Sequence, residues 1–406
     1  MKILFSAFAC DPYRGSEAYC GWSWPLAMRK YHEVYVVTRK ENKKNIEIYL
    51  YQNNISDIHM LYCDIPDFIN LYYKFGKAYF LYYELWQRKA YKFIKKLHKT
   101  EKFDYIHHIT LGDFRNIGYM WKINTKFIFG PVGGAQVTPK VLKSYVKGHK
   151  FEENKRLLIN CLVKYDPYFR RALGKTNVIY AANEETQNFI LDIVHDKNKC
   201  KLLSENGISN EYFESCVRVK NNSSVVIIMW AGRMIYRKGL ELLLSALKEL
   251  DTKIKYKVIL YGSGPEEERL KLLCKKYNLD KKVNFKGNLS FEVMRKEYSK
   301  GDIFVFPSIR ETTGTVLLEA MSNGMGIIAL NQNGAKLLLN DDCGILVSIN
   351  SKKQVITEFS NALKLLIENE KVRTNLGENA KHKLKASYLW ENKTKTIANE
   401  YVSSGR

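Results

Sequence analysis

Two carboxylates, Glu311 and Glu319, stand with seven residues between them in a stretch whose neighbours suit the binding of an anion. Residues 303–308, Ile-Phe-Val-Phe-Pro-Ser, read as a buried strand stopped by proline. Residues 309–314 read as a loop, and a helix is expected from about Thr315 through Glu319 to a stop at Asn323-Gly324. One carboxylate then sits in the loop at the helix mouth and the other about a turn inside. The amides of Thr313, Gly314, Thr315 and Val316 point out of the helix N-terminus, where the helix dipole and unpaired N–H groups favour a phosphate. The bland alternative for Glu319 is an exposed helix glutamate paired with a neighbour.

Other chemistry-bearing groups follow expected strands. Arg233 and Lys238 stand in Gly232-Arg233-Met234 and Lys238-Gly239, downstream of an apolar run at 225–230. Either they face a negative ligand or they belong to a solvated basic surface. His107 and His108 end an expected strand at 105–108, the edge at which open α/β sheets meet ligands. A satisfied structural histidine is an equal reading for each, since only geometry identifies a catalytic one. Gly130-Pro131-Val132-Gly133-Gly134 follows another strand and reads at minimum as a tight turn.

These groups need a frame, and the apolar pattern supplies one. Short apolar runs at 3–8, 34–38, 58–62, 105–108, 127–130 and 178–182 fill the first half. Runs at 225–230, 257–261, 283–286, 303–307, 327–330 and 344–347 fill the second. Helical spacing lies between many of them; at 240–250, Leu240, Leu243, Leu244 and Leu247 recur at i, i+3, i+4 and i+7. Alternation of this kind predicts parallel, doubly wound α/β sheets. A turn signal at Asn206-Gly207 and the loop-like cluster Asn221-Asn222-Ser223-Ser224 divide the chain into domains of 1–210 and 211–406, with the last helix free to cross back to the first.

Composition narrows the class. With 46% hydrophobic residues, the 406-residue chain has ample material for two cores and is unlike a disordered protein. The eight cysteines form no Cys-x-x-Cys pair and no cluster at zinc spacing, so no structural metal or disulfide framework is expected and a reducing cytoplasm is the simpler setting. The apolar run at 3–10 is short for a signal peptide and runs straight into Asp11-Pro12. No apolar stretch reaches the ~20 residues of a spanning helix. The net charge of +23 favours polyanions or an anionic membrane surface, but no zinc finger or aromatic RNA-binding motif points to specific nucleic acid. Residues 71–98 interleave aromatics with lysine and arginine, which suits either a helix lying on an anionic membrane or a core helix with a lysine face. Lys140, Lys143, Lys147, Lys150, Lys155, Arg156, Arg170 and Arg171 extend the basic surface of this half.

Taken in order, these motifs resemble the family 4 retaining glycosyltransferases. The Glu-x7-Glu signature corresponds to Glu311 and Glu319 with Leu318-Glu319-Ala320-Met321. The Gly-Arg and Lys-Gly segment lies at 232–239, and the Gly-x-Gly-Pro turn at Gly262-Ser263-Gly264-Pro265. The hinge turn is Asn206-Gly207-Ile208, and the glycine-rich first loop is Gly15-Ser16-Glu17. In this sequence Thr313 stands where an aromatic is usual, Gly326 where proline is common, and Glu205 in place of a proline before the hinge turn. Gly334-Ala335-Lys336-Leu337 lacks the glutamate often found after that glycine.

The resemblance implies a GT-B fold of two Rossmann-like domains facing a cleft. It implies transfer of a sugar, with retention, from a nucleotide diphosphate sugar to a glycan or lipid-linked acceptor, as in cell-surface polysaccharide synthesis. By the same resemblance Glu319 binds the ribose hydroxyls and Glu311 contacts the donor sugar. Arg233 and Lys238 stabilise the departing diphosphate, where charge builds in the transition state. Gly15 and Gly262 line the donor side, one of His107 and His108 faces the donor sugar, and the 130–134 turn lines the acceptor side. No metal or cofactor is expected, because these cations and the helix amides fill that electrostatic role. A sugar-nucleotide epimerase of the same fold and a non-catalytic polyanion-binding protein are the alternatives. The first acts on the donor without an acceptor; the second shows no nucleotide preference.

Overall fold

A computed structural model of the chain describes residues 1–15, 17–66, 79–219 and 225–403. Ser16 of the first loop, residues 71–78 of the aromatic-basic stretch and the Asn221-Asn222-Ser223-Ser224 cluster lie outside them.

The first sheet has seven strands: β1 (Lys2–Ala7), β2 (Glu33–Thr38), β3 (Ile58–Tyr62), β4 (Tyr105–Thr110), β5 (Lys126–Val132), β6 (Val178–Ala181) and β7 (Cys200–Leu202), in the order β3-β2-β1-β4-β5-β6-β7. The second has six: β8 (Val226–Ala231), β9 (Tyr256–Tyr261), β10 (Val283–Gly287), β11 (Ile303–Phe306), β12 (Gly326–Leu330) and β13 (Ile345–Val347), in the order β10-β9-β8-β11-β12-β13. The paired strands run parallel in both sheets. Parallel sheets covered by helices on both faces need strands that are apolar throughout, which is why β11 is Ile-Phe-Val-Phe and fully buried. The expected alternation therefore yields two Rossmann-like sheets of the GT-B type. The strand absent from the sequence reading is β7, a three-residue edge strand too short to leave a periodic signal.

By contact, the chain divides into two compact units. One holds Met1–Ala135, Ile159–Glu205 and the segment from Trp390 onward; the other holds Gln136–Leu158 and Asn206–Leu389. The excursion at 136–158 follows from packing: Leu142 and Tyr145 are buried in the same core as Leu240, Leu243, Leu244 and Leu247. Those four leucines lie on the helix Leu240–Lys248, on the face that their spacing predicts. The last helix, Trp390–Ser403, contributes Trp390, Ile397 and Tyr401 to the core of the first unit.

The helix Tyr79–Glu101 resolves the reading of the aromatic-basic stretch over its described part. Tyr82, Tyr83, Trp86, Ala90 and Ile94 recur at helical spacing and are buried, and the Trp86 indole donates to the Cys63 carbonyl at 2.8 Å. Its principal aromatic face builds the core, with the lysines on the solvent side.

Candidate functional site

In both sheets the strand order reverses direction at the middle, between β1 and β4 in the first and between β8 and β11 in the second. Loops leaving the carboxyl ends of such a pair diverge, and the crevice between them is where open α/β sheets hold ligands. In the second unit the loop after β8 carries Arg233, Arg237 and Lys238, and the loop after β11 carries Glu311 and leads to the helix Thr315–Ser322. The motifs separated in sequence by about seventy residues thus start from adjacent strands.

The loops are fastened to each other by backbone. Ile309 N donates to the Arg237 carbonyl at 2.8 Å, and the Arg237 guanidinium donates to the Arg310 carbonyl at 3.1 Å. Gly239, with φ of 70°, must be glycine because a Cβ would lie 1.9 Å from the Pro307 oxygen. The loop after β12 supports them from the other side. The Gln332 amide donates to the Ser308 and Ile309 carbonyls at 3.1 and 2.8 Å, and Asn333 Oδ1 accepts from the Glu311 N–H at 3.0 Å. At Gly334 a Cβ would lie 2.2 Å from Thr313 Cα, so glycine here lets the two loops pack directly. After β9, Ser263 accepts from Met234 N at 2.8 Å, which holds the Gly262–Pro265 turn against the Arg233 loop.

Within this frame Lys238 forms an ion pair with Glu311, and Arg237 approaches the same carboxylate oxygen at 3.3 Å. Burial pushes the Glu311 carboxyl up, but the charges and hydrogen bonds of Lys238 and Arg237 outweigh it and hold the group below the ordinary carboxylate range. Glu319 responds in the opposite sense: burial raises its carboxyl, opposed in part by the Tyr298 hydroxyl. Arg233 is exposed and pairs with no described carboxylate. Thr313 is fully buried and its hydroxyl has no partner among the described residues; Gly314, with φ of 87°, caps the helix, so Thr315 and Val316 open it as the sequence predicts.

A second network ties this loop to residues 136–158. Arg310 donates to Glu153 Oε1 at 2.8 Å, the Tyr236 hydroxyl donates to the same oxygen at 2.9 Å, and Thr138 donates to the other oxygen at 2.7 Å. The Gln136 amide reaches the Thr312 hydroxyl at 3.0 Å, and His149 stacks on Tyr236 with ring centroids 3.9 Å apart. Burial pushes the Glu153 carboxyl up; the Thr138 bond and the Arg310 charge, with further hydrogen bonds, prevail and hold it low. The sequence reading missed Arg237, Asn333 and Glu153. Arg237 adjoins Lys238 and could have been found by position, and Asn333-Gly334 is a turn dipeptide. Glu153 lies 157 residues from Arg310 and leaves no local signal.

The first unit treats its candidates differently. Gly15 lies in the exposed loop after β1. His107 and His108 are both 0% exposed. His107 has one ring nitrogen 2.6 Å from the Gly130 oxygen and the other 2.6 Å from the Tyr401 hydroxyl. His108 lies 3.2 Å from the Tyr83 hydroxyl, and burial lowers both imidazoles to about 3. Both are enclosed among side chains of the first unit, which fits the structural reading of each, and His107 ties the last helix to β4 and β5. Among the described residues, no group of three His, Cys, Asp or Glu side chains could hold a metal ion, and no helix is long and apolar enough to cross a membrane.

An uncharacterized glycosyltransferase of Methanocaldococcus jannaschii is 30% identical over 57% of this chain and 61% of its own length. The sulfoquinovosyl transferase of Arabidopsis thaliana is 28% identical over 49% of this chain and 39% of its own length. The chain thus spans about two fifths to three fifths of the length of these curated relatives. Among solved structures, sucrose-phosphate synthase from Thermosynechococcus elongatus superposes with a TM-score of 0.68 at 18% identity, covering 99% of this chain and 98% of that one. The Anabaena protein HepE in complex with UDP gives 0.65 at 14% identity, covering 99% and 100%. The chain has the GT-B fold, and its residues 217–383, which carry the loops of Arg233, Lys238, Glu311 and Glu319, match the family of Glycosyl transferases group 1.

Proposed function

We propose that the chain is a glycosyltransferase that moves a sugar from a nucleotide diphosphate donor to a glycan or lipid-linked acceptor with retention of configuration. The observation that carries the reading is the meeting of Lys238, Arg237 and Glu311 at the strand-order reversal of the second sheet, beside the N-terminus of Thr315–Ser322. The match to group 1 glycosyl transferases over these loops supports it, as do the UDP and UDP-glucose bound in the HepE structures.

In this reading the donor diphosphate lies over the helix N-terminus, where unpaired amides and Gly314 take phosphate oxygens. Arg233 and Lys238 oppose the charge that builds on the leaving diphosphate, so their benefit is larger in the transition state than in the bound donor. Glu319, further along the helix, takes the ribose hydroxyls, and Glu311 receives hydroxyls of the donor sugar. The nucleoside diphosphate leaves with the electron pair of the anomeric C–O bond, and the acceptor hydroxyl oxygen forms the new one on the same face, its proton passing to the departing phosphate oxygen. No metal enters this scheme, and the reaction is placed on the cytoplasmic side, where nucleotide sugars are made.

The test is to incubate the protein with nucleotide sugars and a lipid-linked or oligosaccharide acceptor and read the product by NMR. Release of nucleoside diphosphate with a product anomer matching the donor supports the proposal. An inverted anomer refutes retention, and conversion of the donor sugar without an acceptor favours the epimerase.

A further inference from the structure

The helix Lys150–Tyr165 has an unusual surface for its length: Asn160 is its one buried residue. Phe151, Leu158, Leu162 and Tyr165 are 81%, 59%, 62% and 69% exposed. At 3.6 residues per turn these four fall within an arc of about 60°, so they form one continuous apolar stripe. Lys155 borders this arc about 20° beyond its edge, and Glu152 and Glu153 point more than about 100° from its centre. Leading into the helix, Lys140, Lys143, Lys147 and Lys150 are all exposed. A stripe of large apolar side chains flanked by lysines and free of carboxylates complements a surface that is apolar beneath and negative on top.

We infer that this helix is the element that docks the protein on an anionic lipid bilayer, with Phe151, Leu158, Leu162 and Tyr165 entering the headgroup boundary. The inference rests on the proposed lipid-linked acceptor for its purpose but not for its evidence. The competing surface, Tyr79–Glu101, presents exposed Phe80 and Leu81 at one end only, its main aromatic face being buried in the core. The opposite side of Lys150–Tyr165 carries Glu153, the partner of Arg310. A docked helix therefore holds the Glu311 loop through one ion pair, at a fixed distance from the lipid surface.

The test is co-sedimentation of the full chain with vesicles of phosphatidylcholine alone or with added phosphatidylglycerol, in the absence of donor and acceptor. The protein should bind the anionic vesicles and not the neutral ones. The variant Phe151→Ser/Leu158→Ser/Leu162→Ser should bind about tenfold or more weakly, since the apolar contribution to interfacial binding is removed. Phe80→Ser/Leu81→Ser should bind as the unaltered protein does. In a second measurement, Leu158→Trp should shift its emission to the blue on adding anionic vesicles. Undiminished binding by the triple variant, or no shift, overturns the inference. So does light scattering that shows the triple variant only dissociating a dimer, which would make the stripe a contact with a second copy. Transfer to a soluble oligosaccharide, assayed without vesicles, tests the proposed reaction separately.

Discussion

Lys238 and Glu311 are bound to one another across two loops that leave adjacent parallel strands, β8 and β11. The pair is largely enclosed, with side-chain exposures of 14% and 16%. Removing one partner leaves the other charge poorly compensated. In the proposed reaction, a diphosphate at the helix N-terminus would compete with Glu311 for the Lys238 ammonium and free the carboxylate for hydroxyl groups of the sugar.

Lys238→Ala should therefore lower kcat more than it raises the donor KM, by about a hundredfold in kcat, the scale for loss of one group that opposes developing charge. Steady-state kinetics with varied donor checks this. A change confined to KM would mean that Lys238 binds ground state and transition state alike.

Glu319→Ala should weaken nucleotide binding by ~1.5–3 kcal/mol, the range for hydrogen bonds to a charged group. Calorimetry with the nucleoside diphosphate is the check. Unchanged affinity would remove Glu319 from the donor site.

Glu153→Gln breaks a pair whose side chains are only 12% and 11% exposed and leaves Arg310 uncompensated. Urea unfolding should show a loss of about 3 kcal/mol, with lower activity because Arg310 adjoins Glu311. A loss under about 0.5 kcal/mol would place the pair with ordinary surface bridges.

Much of this was legible in the sequence, for reasons that differ by residue. Buried parallel strands must be apolar on both faces, so β1, β8 and β11 announce themselves as runs. Leu240, Leu243, Leu244 and Leu247 give the helical period of their helix. Lys238 and Glu311 lie within short motifs whose loops follow those strands, so their position near a switch point could be anticipated. Glu153 could not, because its partner is remote in the chain and a single glutamate in a basic helix carries no pattern. His107 and His108 show the same limit: the apolar run suggests a strand ending at 108, but β4 continues to Thr110, so the pair lies inside the strand, with Tyr401, 294 residues away, on His107 and Tyr83 on His108.

The same two histidines predict a pH effect. Both imidazoles are held near 3 in the folded protein, below the ordinary value, so the unfolded chain binds more protons as pH falls below about 6.5. Their contribution to stability is complete above that pH and is lost progressively down to about 3. Urea unfolding at pH 7.5 and 5 should show the decline, and His108→Leu should make it shallower. An equal decline in that variant would assign the acid sensitivity to other groups.

The proposed reaction requires that the loops of Arg233, Lys238, Glu311 and Glu319 form a nucleotide-sugar site. Isothermal titration with a panel of nucleoside diphosphates and their sugars, with inorganic polyphosphate alongside, tests it most directly. One site per chain is expected, with a preference for one base, unaffected by a metal chelator and weakened in Glu319→Ala. Binding of polyphosphate as tight as that of every nucleotide, lost as salt is raised and unchanged in Glu319→Ala, would contradict it and leave only a polyanion-binding surface.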